Sequence, residues 1–419
     1  MDILDDLQYR GLIYQVSNLE GLKKELKKRR LVLYCGFDPT ADSLQVGNLV
    51  PLLTLKRFQE AGHQIIVLIG GGTGLIGDPS GKKDERILNP EKTVKKWGSL
   101  FKKQIEGLID FKRKDNPALI DDNYNWLAKI KTIDFLRDIG KHFTIPYMLA
   151  KDAVKMRLES GISFTEFNYM VLQAYDFLCL FKKYNCQMQI GGSDQWGNIT
   201  AGIDLIRKKE EKEVFGLTVP LVSKASGEKF GKTETGTIWL DGQKTSPYQF
   251  YQFWVNTDDR DVIQFLKYFT FLSKEEINNL EKSFQKNPEK REPQKALAKE
   301  VTALVHGKEM SLMAEMISQK LFYNDFKSFS QKELEMIFKN IPLTVIEKIK
   351  NIDLIELLVK AKVCSSKRQA REDIKNGIIF INDKAFKDSE MLIRQGDCFY
   401  GKYLIVKKGK KNYYFVLWK

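Results

Sequence analysis

Long apolar runs are missing from this 419-residue chain. No stretch of about 18 apolar residues occurs, so no segment reads as a membrane-spanning helix. Histidine is scarce: the three copies, His63, His142 and His306, stand apart from other ligand candidates, which argues against a histidine-based metal centre. The five cysteines (Cys35, Cys179, Cys186, Cys364, Cys398) are odd in number and contain no C-x-x-C pair. That pattern argues against a disulfide framework and against a zinc site. The opening residues, Met1-Asp2-Ile3-Leu4-Asp5-Asp6, lack the basic and then apolar layout of a signal peptide. A soluble, cytoplasmic chain with no membrane partner and no bound metal is expected.

Apolar residues make up 43% and aromatics 11%, a globular composition, and the length allows two or three domains. Lys and Arg number 68 against 54 Asp and Glu, giving a net charge of +14. So basic a chain suits a polyanionic partner. A lysine-rich proteome would give the same number, so composition does not decide.

In the first half, short β-type runs alternate with helical patterns. Leu31 to Gly36 and Gln64 to Ile69 read as strands, and Leu49 to Ala61 as a helix ending at Gly62. Pro51 fits only the first turn of that helix, whose start is expected near Val46 to Asn48. Gln187 to Ile190 leads into a glycine pair, Asn198 to Lys209 reads as helix, and Val214 to Val222 as a further strand. Alternation of this kind predicts βαβ units and a parallel sheet, with ligands at the carboxyl ends of the strands. From Ser246 to Phe329 the patterning is helical and charged, with amphipathic stretches at Ser273–Phe284 and Gln294–Val305. Residues 327–350 read as a linker or small helical link. Residues 352–419 hold 15 Lys and Arg against 8 Asp and Glu, half of the chain's net charge.

Four segments carry chemistry. Tyr34-Cys35-Gly36-Phe37-Asp38-Pro39-Thr40-Ala41-Asp42-Ser43-Leu44-Gln45-Val46-Gly47-Asn48 runs from a strand into a helix start. Free N–H groups there make a natural phosphate site, although an ordinary loop with Ser43 as N-cap has the same look. Ser223 to Thr233 places Lys229 and Lys232 among glycines and small residues, as in a mobile cationic loop or a solvated turn. Tyr169, Gln173 and Asp176 fall on one helix face, where a buried carboxylate needs a partner. Gly191-Gly192-Ser193-Asp194-Gln195 is a strand-to-helix turn with a carboxylate able to hold a ribose. A fifth candidate, Gly72-x-Gly74-x-x-Gly77, matches a dinucleotide fingerprint but lacks the following helix and the later acidic residue.

These segments resemble the tyrosyl type of class I aminoacyl-tRNA synthetases. The first is similar to the HIGH region, with Gln45 and Asn48 at its two histidine positions. The second is similar to the KMSKS loop in its K-F-G-K-T form. The resemblance implies a Rossmann-like parallel-sheet catalytic domain (1–222), an α-helical domain behind the KMSKS-type loop (223–326), a linker (327–351) and a small α+β RNA-binding domain (352–419). It implies activation of L-tyrosine with ATP and Mg, followed by transfer to tRNA(Tyr), in a homodimer whose interface lies around residues 125–165. Carried over, Thr40, Gln45, Lys229, Lys232 and Thr233 act on the phosphates. Tyr169, Gln173 and Asp78 surround the ammonium, Asp176 and Tyr34 meet the phenol hydroxyl, and Gln195 faces the aminoacyl group. Gly36, Asp38, Gly47, Asn48, Gly192, Asp194 and Lys232 hold ATP, and the glycine-rich fifth segment lies beside the amino-acid pocket. The stretch from Leu354 resembles an RNA-binding module of a small-subunit ribosomal protein, with Lys367, Arg368, Arg371 and Lys375 toward RNA. A tryptophanyl-type relative and a non-catalytic RNA-binding protein on the same scaffold are the alternatives. Asp176 with Tyr34 argues against the first, Lys229 with Lys232 against the second.

Overall fold

The computed structural model describes every residue except 1, 81–87, 159–160, 228–229, 234–235, 324, 326–327, 340–342, 348–349, 383, 387, 389 and 410–411. Lys229 lies among the exceptions, and for Thr233 only the backbone is described.

The apolar runs become the strands expected of them. β1 (Gln15–Val16), β2 (Val32–Phe37), β3 (Gln64–Ile69), β4 (Leu119–Asp122), β5 (Met188–Gly192) and β6 (Phe215–Val219) form one sheet in the order β1-β6-β5-β2-β3-β4. All neighbours are parallel except β1 against β6. Every residue of β3 after Gln64 is buried, as a parallel strand covered on both faces requires. The chain leaves β2 toward β3 and β4 on one side, and later returns to β5 and β6 on the other. The order therefore reverses between β2 and β5, and a crevice opens at their carboxyl ends.

The helix after β2 begins as expected but with a different cap. Ser43 is buried and its hydroxyl donates to the Leu44 carbonyl at 2.9 Å. Asn48 Oδ1 instead accepts the Gln45 N–H at 3.0 Å, closing a short 3₁₀ turn over Val46–Asn48. α1 (Leu49–Glu60) follows, with Pro51 in its first turn and Gly62 (φ 93°) past its end. α2 (Glu91–Glu106) crosses to β4. α3 (Phe164–Tyr184) starts at Ser163, whose side chain accepts from the Glu166 amide at 3.3 Å. α4 (Trp196–Glu210) extends two residues before and one beyond the run its sequence pattern suggested. β6 is shorter than the run Val214 to Val222, ending before Pro220, which has no N–H to continue a ladder.

α4 seats on both α3 and the sheet through two glycines. A Cβ on Gly202 would lie 3.0 Å from the Phe177 ring, and one on Gly216 would lie 2.4 Å from Ile199 Cγ2. The core beside them (Tyr34, Ile66, Leu68, Phe177, Leu180, Leu205) is the wall against which the crevice is built.

By contacts the chain divides into two compact units that interleave along the sequence. One comprises 1–232, 237–240 and 258–293; the other comprises 233–236, 241–257 and 294–419. These divisions differ from the boundaries read from patterning. Helices Val262–Phe269 and Lys274–Lys286 go with the first unit, while Pro247–Val255 and Lys308–Phe322 go with the second. The stretch expected as a linker or small helical link holds helix Gln331–Phe338, which fits the second expectation, and strand Leu343–Ile346, which fits neither. That strand pairs in parallel with Asn412–Trp418 at the edge of a five-stranded sheet. The run Leu-Thr-Val-Ile is only four residues long and flanked by charge, and its pairing partner is the last strand of the chain, so local patterning hid it. Helices Leu354–Lys360 and Lys367–Lys375 cover one face of this sheet.

Gly216→Val should destabilise the first unit by about 1–3 kcal/mol through overpacking against Ile199. A lowered midpoint of denaturant unfolding checks this.

Candidate active site

A cavity of about 500 Å³ opens at the reversal point between β2 and β5. Its wall includes Tyr34, Gly36 and Asp38 from β2 and the loop behind it, then Thr40, Gln45, Gly47 and Asn48. Asp78 joins from the glycine-rich loop, Tyr169, Gln173 and Asp176 from α3, and Gly192, Asp194 and Gln195 from the turn after β5. Residues from four separate sequence segments thus meet around one space. Four carboxylates line it, and no Lys, Arg or His does so among the described residues. The cavity favours a cationic group, and a polyphosphate placed in it needs positive charge from elsewhere.

At the floor, Asp176 is buried between two donors: Asn123 Nδ2 gives 2.8 Å to one oxygen and Trp126 Nε1 2.7 Å to the other. Asn123 also accepts the Gly72 N–H at 2.7 Å and donates to Thr73 Oγ1 at 2.8 Å, tying the glycine-rich loop to the same floor. Burial outweighs these donors and pushes the Asp176 carboxyl up to about 8. Beside it the Tyr34 ring packs on Phe177, with centroids 5.3 Å apart. The Tyr34 hydroxyl is buried and has no hydrogen-bond partner among the described residues, and a buried hydroxyl left unsatisfied costs about 1–3 kcal/mol. The floor therefore offers one acceptor and one unspent hydroxyl side by side, complementary to a ligand group that both donates and accepts.

Further out, Asp38 accepts from the Tyr169 hydroxyl at 2.6 Å and from Thr73 Oγ1 at 2.7 Å. A Cβ on Gly70 would fall 1.8 Å from Asp38 Oδ1, so only glycine allows this approach. Gln195 Nε2 donates to Asp78 at 2.6 Å. Asn198 Nδ2 reaches Gln173 Oε1 at 3.2 Å and Gln195 Oε1 at 3.1 Å. These bonds make one network of Asp78, Gln173, Gln195 and Asn198 along a wall. The loop matching the dinucleotide fingerprint forms a 3₁₀ turn, Thr73–Leu75, and its Thr73 faces the cavity.

Lys232 is exposed and does not line the cavity, although its neighbour Phe230 does. Lys367, Arg368, Arg371 and Lys375 are all exposed on helix Lys367–Lys375, which Ser366 caps by accepting from the Gln369 amide.

Sequence reasoning did not find Asn123, Trp126, Thr73 or Asn198. A signal existed for Asn123: an acid-rich step, Asp121-Asp122-Asn123, follows a short apolar run. Only the sheet reveals that run, Leu119–Ile120, as the end of a strand pointing at the cavity.

A doubly wound sheet, a ligand crevice at its reversal point and two signature loops around it define a class I aminoacyl-tRNA synthetase. The family described as tRNA synthetases class I (W and Y) matches residues 26–323, and the tyrosine–tRNA ligase SYY-like C-terminal domain matches 333–416. The chain is 56% identical over 417 residues to a tyrosine–tRNA ligase of Bacillus caldotenax, covering 99% of both. It is 54% identical over 420 residues to tyrosine–tRNA ligase 1 of Bacillus subtilis, covering all of both. A C-terminally truncated mitochondrial tyrosyl-tRNA synthetase of Aspergillus nidulans superposes with a TM-score of 0.70 at 32% identity, over 76% of this chain and 94% of that one. The chain belongs to the tyrosine–tRNA ligase family.

The Asp176 carboxyl lies above its unfolded value, so the folded state holds a proton that the unfolded chain has released between about pH 4 and pH 8. Stability should fall as pH rises through that window and level off above it. Asp176→Asn should flatten the fall, as compared by melting temperatures of the two proteins at pH 5 and pH 9.

Proposed function

We propose that this enzyme activates L-tyrosine with ATP to tyrosyl-adenylate and pyrophosphate, then transfers tyrosine to the 3′-terminal adenosine of tRNA(Tyr). The buried pair of Tyr34 and Asp176 carries this reading. A phenol hydroxyl donates one hydrogen bond and accepts another, and the pair supplies an acceptor and a donor. An indole N–H would satisfy Asp176 and leave the Tyr34 hydroxyl as it is, which favours tyrosine over tryptophan.

In this reading the ammonium lies among Asp78, Tyr169 and Gln173, while Gln195 faces the aminoacyl group. Gly36 and Gly192 leave room for the adenosine, and Asp194 accepts the ribose hydroxyls. The tyrosine carboxylate attacks the α-phosphorus in line, forming one P–O bond as the bond to pyrophosphate breaks. The nucleophile is already ionised, so no general base is needed. Catalysis rests on positioning and on neutralising the charge that builds on the leaving group. Thr40, Gln45, Gly47 and Asn48 offer hydroxyl, amide and backbone N–H donors there. Asn48 spends its amide oxygen on the Gln45 N–H, which leaves its –NH₂ to donate. The wall carboxylates cannot supply positive charge, so Lys229 and Lys232 bring it from the loop, with the Thr233 hydroxyl as a further donor, and magnesium arrives with ATP as part of that substrate. Lys367, Arg368, Arg371 and Lys375 hold tRNA phosphates, which positions the RNA without reading its sequence.

Pyrophosphate exchange into ATP tests the reading. Tyrosine should support exchange, and phenylalanine and tryptophan should not. Equal exchange with all three, or none in folded protein, contradicts it.

A homodimer, acting in the cytoplasm, completes the proposal. Of the apolar residues between 125 and 165, Phe143 is buried and Phe135 packs on the core. Ile133, Leu136, Ile145, Met156 and Phe164 stay exposed, apolar surface that a second copy would cover. Phe164→Asp should shift the protein toward monomer by sedimentation, with its circular dichroism unchanged.

A further inference from the structure

The segment that carries Lys232 is fixed by a helix that no part of the foregoing chemistry employs. The Ala225 N–H donates to both oxygens of Asp261, at 3.2 and 3.0 Å. Asp261 is the N-cap of α5 (Val262–Phe269), yet its side chain makes no cap bond to its own helix. An N-cap carboxylate ordinarily accepts a first-turn N–H and stabilises its helix by about 1 kcal/mol. Here that bond is forgone, and the carboxylate reaches out to the segment beyond β6 instead.

The same helix grips the segment a second time. Phe230 is buried, stacked on Phe269 with centroids 5.4 Å apart and edge-on to Phe265 at 5.3 Å. Gly231 then turns with φ 76°, where a Cβ would lie 2.7 Å from Val46 Cγ2. Its carbonyl accepts the Ile238 N–H at 2.9 Å, while the Ile238 carbonyl accepts the Val46 N–H at 3.2 Å. The Leu240 N–H donates to the Leu44 carbonyl at 2.8 Å, so the backbone on each side of Gln45 is bonded to the segment 238–240 that follows the lysines.

α5 is itself braced at its far end. Arg10 donates to the carbonyls of Lys267 (3.1 Å), Thr270 (3.2 Å) and Leu272 (2.8 Å). Arg57, on α1, donates to the Thr270 carbonyl and stacks over Phe271 at 4.3 Å. Two buried guanidiniums thus satisfy the helix C-terminus, where cations are favoured, and tie it to the helix that begins beside Gln45 and Asn48.

We propose that Asp261, with Phe265 and Phe269, is a positioning anchor that sets where Lys232 stands relative to the ATP phosphates. It touches no substrate and acts through the lysine, so the proposal rests on the reading of Lys232 as a phosphate-binding residue. Phe230 both lines the cavity and sits in the aromatic clamp, so a shift of the clamp moves the residue two places before Lys232. Displacement of a catalytic group by about 1 Å costs on the order of 100-fold in rate.

The test is a double-mutant cycle on the full-length enzyme, read by single-turnover tyrosyl-adenylate formation alongside tyrosine affinity and melting temperature. Asp261→Ala should slow activation roughly 10- to 100-fold with tyrosine affinity within about twofold of wild type. In a Lys232→Ala background the same substitution should add less than about a twofold loss, because the group it positions is gone. Asp261→Asn keeps an oxygen to accept from Ala225 and should recover most of the rate. A wild-type rate in Asp261→Ala, an equal loss in both backgrounds, or a parallel loss of tyrosine affinity would overturn the anchor. Should Asp261→Ala fail to fold, Phe269→Leu enters the cycle in its place. A normal rate in Lys232→Ala alone would instead overturn the role given to the lysine.

Discussion

The catalytic unit is organised around one buried carboxylate. Asp176 lies on a helix otherwise packed into the core, and burial alone would drive such a group to neutrality or out to solvent. It stays because Asn123 and Trp126 each donate to one of its oxygens. Those two residues follow β4, and Asn123 also bonds the glycine-rich loop after β3. Seating this carboxylate thus fixes the end of β4, the loop after β3 and the inner face of α3 against one another. The donors do not cancel the burial, and the carboxyl stays well above its ordinary value. That residual frustration, next to an unsatisfied Tyr34 hydroxyl, is what a phenol would relieve.

Charge divides the labour of the remaining site. A wall carrying Asp38, Asp78 and Asp194, with no Lys, Arg or His among the described residues, suits an amino acid's ammonium and opposes a polyphosphate. In the proposed reading, a cation carried on its own loop, together with a magnesium-bearing substrate, resolves the conflict. It also explains why such a loop must be aimed from outside the cavity wall. The aromatic clamp on Phe230 and the Asp261 carboxylate give that aim a physical basis.

Much of this was legible in the residues. β3 was readable to the residue because every position but its first is apolar, and α3's site face followed from the spacing of Tyr169, Gln173 and Asp176. That a ligand site would lie at the carboxyl ends of a parallel sheet could be anticipated from alternation, but which strands flank the reversal came only from the pairing. The cap at Gln45 and Asn48 was not, because Ser43 is the better cap by type, yet it stands two residues before Gln45 and donates its hydroxyl to the Leu44 carbonyl. β4 and strand Leu343–Ile346 were missed for a common reason: each is short and defined by distant pairing partners. Asp261 and Arg57 look like surface charges in sequence, and only tertiary contacts give them work.

The claim on which the rest turns is that Tyr34 and Asp176 read a phenol hydroxyl. The most direct measurement is the ratio of kcat/KM for tyrosine over phenylalanine, in wild type and in Tyr34→Phe. Loss of one neutral hydrogen bond should lower that ratio by about threefold to tenfold, through the tyrosine value alone. An unchanged ratio, or an equal loss for both substrates, would mean that the hydroxyl at the cavity floor plays no part in recognising the side chain.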